Sequence, residues 1–236
     1  MKLRLFSSRK RLDSHIYVLD SAQGTPESYF LKPGYATRSE VRYCHRSAGS
    51  ITSQEEVYVA ASHLARSLGV EAVIDLGCGF GEKSIQHMGD LKIVGADYGP
   101  NIAHCRQQHP QHIWLEVNLD QPHDIQLPPL RSYIVICADV IEHMTHPEYL
   151  LKTLRELSRN AMAVIISTPE RDLERGCAHM GPPNNQAHAR EWNIQEFQQL
   201  LEHWQIPASI SLVRADRKAT HPRTMLATTR RLAAVA

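Results

Sequence analysis

The stretch that most constrains the fold is Ala72-Val-Ile-Asp75-Leu-Gly77-Cys78-Gly79-Phe-Gly81-Glu82-Lys83. A short β-branched run ends on an acid, three glycines follow at every second position, and a helix-compatible segment opens at Glu82. That order predicts strand, glycine turn and helix. Alternate glycines let the backbone turn through positive φ and let a ligand come to backbone distance, while the new helix offers N–H groups without intrahelical partners. The turn suits a nucleoside-like ligand.

Its spacing separates two classes of nucleotide-binding turn. A dinucleotide fingerprint reads G-x-G-x-x-G, whereas here the sixth position is Glu82 and the third glycine comes one place early, at Gly81. The form Asp-x-Gly-x-Gly-x-Gly resembles the first motif of class I S-adenosylmethionine (SAM) dependent methyltransferases. Asp75 strengthens the resemblance, because an acid at the carboxyl end of a strand can meet the ammonium of a methionine moiety and would repel a pyrophosphate.

The strands that follow extend it. Leu91 to Asp97 reads as a second strand whose terminal acid comes twenty-two residues after Asp75. A carboxylate there can accept hydrogen bonds from both ribose hydroxyls of an adenosyl group, which would equally suit NAD; the plainer role for Asp97 is a cap for the next helix. Strand three, Ile113 to Val117, leads into Asn118-Leu119-Asp120. In the family an acid here meets the adenine amino group and the next backbone N–H meets a ring nitrogen. Asn118 departs from that pattern, so the contact would come from its amide oxygen or from Asp120. Strand four, Ser132 to Cys137, runs into Ala138-Asp139-Val140-Ile141-Glu142-His143-Met144, which looks like the family's fourth motif beside the transferable methyl. Strand five is Ala161 to Ser167, and the alternating runs Ala208 to Val213 and Thr224 to Thr228 fit a terminal antiparallel pair. Between the strands, helices are expected from Ser53 as cap to Gly69, Lys83 to Met88, Asn101 to about His109, from about Pro147, and Asn193 to Trp204.

From about Ser53 to Thr229 the resemblance implies a Rossmann-like α/β fold of the class I methyltransferase type. Its sheet has seven strands in the order 3-2-1-4-5-7-6, the last antiparallel, with helices on both faces. It implies SAM as cofactor, held by Asp75, Gly77, Cys78, Gly79, Gly81, Asp97, Tyr98, Asn118, Leu119, Ala138 and Asp139.

The acceptor side is less sharply marked. The polar, turn-rich stretch Gly181 to Trp192 lies between strand five and the next helix, where open α/β sheets bind ligands, and it is expected to form the acceptor wall. His143 is the first candidate base or acceptor-orienting residue, its plainer role being a hydrogen bond to backbone behind the turn. His188 is the second. Tyr35, Arg38, Glu170, Arg190 and Trp192 are the candidate acceptor-binding residues, an arginine clamping a carboxylate or phosphate and a tryptophan stacking on a ring or sugar. The bland alternative is an Arg–Glu surface pair with Trp192 as a hydrophobic anchor. Asp139, Glu142 and His143 are spaced D-x-x-E-H, similar to the metal-binding E-x-x-E-H of some quinone-precursor and small-RNA 3′-end methyltransferases. The same letters occur in members without metal, and no metal ligand is assigned from the sequence.

Composition bounds the rest. At 236 residues the chain suits one α/β domain, residues 53–236, with residues 1–52 as an irregular arm capping the site. Tyr29, Phe30 and Tyr35 would either cover that site or anchor the arm to the core. A formal net charge of +1 supplies no global field for nucleic acid or an anionic membrane. Five cysteines without C-x-x-C pairing read as reduced thiols of a cytoplasmic protein; the basic start from Met1 to Arg11 lacks the apolar stretch of a signal peptide, with a short transit peptide as the alternative, and no apolar run has the length of a membrane span. The expected activity is methyl transfer from SAM to oxygen or nitrogen of a small molecule, sugar or modified peptide, without membrane or nucleic acid as partner. Metal-assisted methylation of a catechol-like ring or an RNA 3′ end, an NAD(P)-dependent oxidoreductase and a SAM-binding protein without catalysis are the alternatives.

Overall fold

The computed structural model describes residues 29–41, 53–216 and 218–230. Helix α1 (Glu55–Leu68) feeds β1 (Ala72–Leu76), and α2 (Glu82–Met88), β2 (Lys92–Asp97), α3 (Pro100–Gln108) and β3 (Ile113–Glu116) follow in alternation. β4 (Tyr133–Ala138) ends in a 3₁₀ turn at Ile141–His143, and α4 (Pro147–Ser158) leads to β5 (Ala163–Pro169). The short α5 (Arg171–Arg175), then α6 (Ile194–His203), β6 (Ser209–Val213) and β7 (Thr224–Arg230) complete the chain.

The seven strands form one sheet in the order β3-β2-β1-β4-β5-β7-β6. β1 pairs in parallel with β2 on one side and β4 on the other, while β7 is antiparallel to both β5 and β6. Strand order therefore reverses between β1 and β4, and the carboxyl ends of both open into the crevice where ligands of open α/β sheets bind. Every residue of β1 and β4 is buried, and apart from Asp75 their side chains are apolar or aromatic, as strands covered on both faces require. Val73, Ile134 and Ile136 pack under α1, while Ile74, Leu76 and Val135 pack under α4 and α6. Burial of each such side chain is worth about 1.5–3 kcal/mol, so these strands form the rigid floor of the crevice.

Some helix ends are set by side-chain or glycine caps. Asn193 and Glu196 form a capping box at α6, and Gly69 ends α1 at φ 60°. The cap of α1, however, is not Ser53. Gln54 occupies that position at φ 62°, with no side-chain cap, because its amide is used in the crevice instead.

Of the arm, residues 29–41 are described; Gly24, Pro26 and Cys44 lie outside the described residues. Tyr29, Leu31, Tyr35 and Val41 are buried. Ala36 N–H donates to the Met180 carbonyl at 2.7 Å and Arg38 N–H to Ala189 at 2.8 Å, so this segment runs along the 180–189 loop.

Candidate functional site

The glycine turn is built as the spacing requires. Gly77, Gly79 and Gly81 have φ of 75°, 56° and 72°. Gly77 and Cys78 N–H groups donate to the Ala96 carbonyl at 2.7 and 3.2 Å, tying the turn to β2. A Cβ built on Gly79 meets nothing within 4 Å, so the backbone there faces open space. Asp97 stands at the edge of this space. Its carboxylate accepts from Gly79 N–H at 2.7 Å, Tyr98 N–H at 2.6 Å and the Asn101 amide at 3.1 Å.

Asp75 has a different position from the one expected. It is 1% exposed, lies beneath the turn, and accepts from the Tyr58 hydroxyl at 3.2 Å and from the Ser84 hydroxyl. Burial pushes its carboxyl up to about 6, against the lowering effect of those two donors. It braces the turn from below and does not present an oxygen to a ligand ammonium. The adenine-side expectation changes likewise. Asn118 folds its amide oxygen back onto Asp120 N–H at 3.0 Å, and Asp120 is buried, accepting from Thr145 Oγ1 and His146 N–H, each at 2.6 Å. Asp120 therefore locks the turn after β3 to the start of α4, and Leu119 beside it is buried.

At the end of β4, the Ala138 carbonyl accepts from Gln54 Nε2 at 3.0 Å. Asp139 takes φ 50° and accepts from the Ser167 hydroxyl at 2.6 Å. The 3₁₀ turn then carries Glu142 and His143 toward the acceptor side. Ala189 N–H donates to the Glu142 carbonyl at 2.7 Å, and this link draws His188 onto the turn. The rings of His143 and His188 stand edge to face with centroids 4.8 Å apart. Glu142, His143 and His188 bring one ligand atom each within 4.8 Å of one another. Asp139, the first letter of the D-x-x-E-H spacing, is not in that group; His188 takes its place.

The three side chains are fixed by their other contacts. Glu142 is fully buried, one oxygen accepts from Thr168 Oγ1 at 2.9 Å, and Oε1 has no partner. Burial, with the Asp139 charge adding, pushes its carboxyl well above the usual carboxylate range. His143 donates from Nδ1 to the Ala187 carbonyl at 2.7 Å. Part of its ring reaches solvent, yet burial and then His188 push it down to about 3, so it is neutral and a weak proton acceptor at pH 7. His188 donates from Nδ1 to Glu191 Oε1 at 2.7 Å and accepts at Nε2 from Asn185 at 2.8 Å. Glu191 is held below the usual carboxylate range by His188 and Arg175, which outweigh its burial.

Four of the five candidate acceptor-binding residues are structural pins. Trp192 is fully buried and donates from Nε1 to the Tyr29 carbonyl at 2.9 Å. Arg190 is fully buried, donates to the Met144 and Thr145 carbonyls at 2.9 and 3.1 Å, and stacks 4.2 Å from the Tyr29 ring centroid. Glu170 caps α5 through Leu173 N–H at 2.6 Å and holds Ile194 N–H at 3.1 Å. Tyr35 is 1% exposed and accepts from Glu191 N–H at 3.3 Å. Arg38 alone keeps a partly exposed side chain, with Nε 3.4 Å from the His188 carbonyl.

Sequence reasoning missed Gln54, Tyr58 and Lys83. Lys83 had a signal in its place directly after the turn; Gln54 reaches the crevice, and Tyr58 the underside of the turn, only through packing of α1 against β1 and β4.

A family profile described as a methyltransferase domain matches residues 54–220. A comparison with curated protein sequences finds no match. Among solved structures, the chain is similar to the methyltransferase domain of a bacterial Hen1 (CtHen1), with TM-score 0.52 and 21% identity over 75% of this chain and 98% of that one. It is similar to magnesium protoporphyrin IX methyltransferase from Synechocystis PCC 6803 with bound S-adenosylhomocysteine (SAH), with TM-score 0.54 and 16% identity over 76% and 84%. It is also similar to the plantazolicin methyltransferase BamL, with TM-score 0.52 and 14% identity over 77% and 85%.

Proposed function

From its membership in the class I SAM-dependent methyltransferase family, to which the chain belongs, we propose that this enzyme moves the methyl group of SAM to an oxygen of a hydroxyl-bearing acceptor placed against Glu142, His143 and His188. The crevice fits the cofactor: open space over Gly79, a carboxylate at Asp97 beside it, and Ala138 and Asp139 closing the far side. SAM supplies an electrophilic sulfonium methyl, so the protein's task is to align the acceptor behind it and exclude water.

One observation carries the acceptor side: an unpartnered, fully buried carboxylate oxygen of Glu142 beside two imidazoles. A buried orphan oxygen is costly unless something meets it. One carboxyl group and two imidazoles form an N, N, O donor set that fits a divalent transition ion, and Glu142, His143 and His188 would hold it. His143 and His188 each use Nδ1 on a carbonyl or carboxylate, the outer contacts that orient such ligands. The bound ion would supply Lewis-acid polarisation of an acceptor hydroxyl, as in a catechol or a ribose diol. HEN1, another protein of similar structure, is a small RNA methyltransferase. A metal-free transfer to a small molecule, sugar or modified peptide is favoured by a different fact: His188 Nε2 already holds the Asn185 amide. In that reading burial makes Glu142 hold its proton more readily than an exposed carboxyl, and His143 orients the acceptor. Residues 1–52 serve as the arm, supported by the run of 29–41 along the loop that carries His188.

The test is transfer of labelled methyl from SAM to a panel holding a catechol, an RNA 3′ end, sugars and a peptide, with Mn²⁺ or with EDTA. Transfer to a hydroxyl acceptor should need the ion, and Glu142→Gln and His143→Ala should lose turnover while keeping SAH affinity. Chelator-insensitive transfer with an active Glu142→Gln would remove the ion from the account.

A further inference from the structure

We infer that Lys83, oriented by Gln54, binds the carboxylate at the methionine end of SAM and makes the crevice selective for adenosyl compounds that carry that end. The inference rests on the cofactor reading above and assigns a residue to it.

Lys83 is the second residue of α2, two places after Gly81. Its ammonium donates to Gln54 Oε1 and lies 5.6 Å from the Tyr58 ring centroid. Gln54 Nε2 in turn donates to the Ala138 carbonyl. The chain of contacts fixes the ammonium between the carboxyl ends of β1 and β4, at the strand-order reversal. Gln54 takes the left-handed φ of 62° to make both contacts, a conformation held against an intrinsic cost.

The chemistry of this position is that of a carboxylate subsite. Among the described residues the ammonium meets a neutral amide oxygen by direct contact and no carboxylate, so a ligand carboxylate would add a full countercharge there. Asp139, at the end of β4, acts on Lys83 by charge from across the crevice, and Asp75 does so from below. A methionine end carries one ammonium and one carboxylate. Lys83 and Asp139 therefore present the complementary pair, with Asp75 already engaged by Tyr58 and Ser84. Burial lowers the lysine's affinity for its proton, which an arriving carboxylate would restore.

The test is calorimetric binding of SAH and of 5′-methylthioadenosine, which lacks the amino-acid end, to wild type, Lys83→Met and Lys83→Arg. Methionine keeps an apolar stem over Tyr58, and arginine keeps the charge. Loss of one charge-assisted contact should weaken SAH by about ten- to a hundredfold in Lys83→Met, leave 5′-methylthioadenosine within about twofold, and be largely recovered in Lys83→Arg. Unchanged SAH affinity in Lys83→Met, or an equal loss for both compounds, overturns the assignment while leaving the cofactor reading standing. A folded wild type that binds neither compound overturns the cofactor reading and this inference with it.

Discussion

Gly77→Ala tests how the glycine turn is locked to the β4 turn. Two costs can be read from the structure. Gly77 has φ 75°, where an L side chain costs about 1–2 kcal/mol. A Cβ there would lie 2.4 Å from Val140 Cγ2 and 3.0 Å from Cγ1, and overpacking of that kind costs about 1–3 kcal/mol. The sum is about 2–5 kcal/mol, a large share of a typical domain's stability. Val140→Ala alone should cost about 2 kcal/mol, from two buried methyl groups and the space they leave. In the double variant the steric part disappears and the backbone part stays. Urea unfolding of the four proteins at constant m-value should then give a favourable coupling of about 1–3 kcal/mol. Strict additivity would refute the reasoning, since it would mean that the turn and Val140 do not meet. Gly77→Ala should also weaken SAH, because the N–H groups of Gly77 and Cys78 hold the turn on Ala96.

Two further outcomes are expected. Asp97→Ala removes the carboxylate that meets Gly79 and Tyr98 N–H at the turn's edge, and SAH affinity should fall at least about tenfold; an unchanged value in calorimetry would detach Asp97 from the ribose. Asp75 has its carboxyl moved from 3.8 to about 6, so between those values the folded protein holds more proton than the unfolded chain. The slope of unfolding free energy with pH is then negative: Asp75 costs nothing below pH 3.8, and its cost grows to about 3 kcal/mol by pH 6 and stays constant above. The stability of wild type relative to Asp75→Asn should therefore fall from pH 4 to 6; a flat difference would show that the carboxyl is not perturbed.

Much of the fold was legible because each level of the chain points the same way. β-Branched runs ending at Asp75 and Asp97, glycines at alternate positions and apolar stripes between them specify parallel strands with helical crossovers, and Asn193 with Glu196 marks a helix start outright. The glycine turn was legible to the same extent, since Gly77, Gly79 and Gly81 are local to one turn tied to its neighbour strand, whereas Asp75, Asn118 and Asp120 were not, because their side chains are taken up by Tyr58, Ser84, Thr145 and local backbone N–H groups. The acceptor side was not. Polar and turn-forming residues from Gly181 to Trp192 read as a wet surface, yet Arg190 and Trp192 are buried by Tyr29, more than 150 positions away. Glu142 and His143 meet His188 through a backbone bond from Ala189, a pairing that no local pattern encodes. Gln54 escaped notice because a left-handed residue before a helix has no signature when it is not glycine.

The most direct test of the central claim is calorimetric titration of the purified protein with SAH, alongside NADH. Micromolar binding of SAH with no binding of NADH is the predicted result. No SAH binding, or binding of NADH instead, would contradict the reading of the glycine turn and with it the methyl-transfer function.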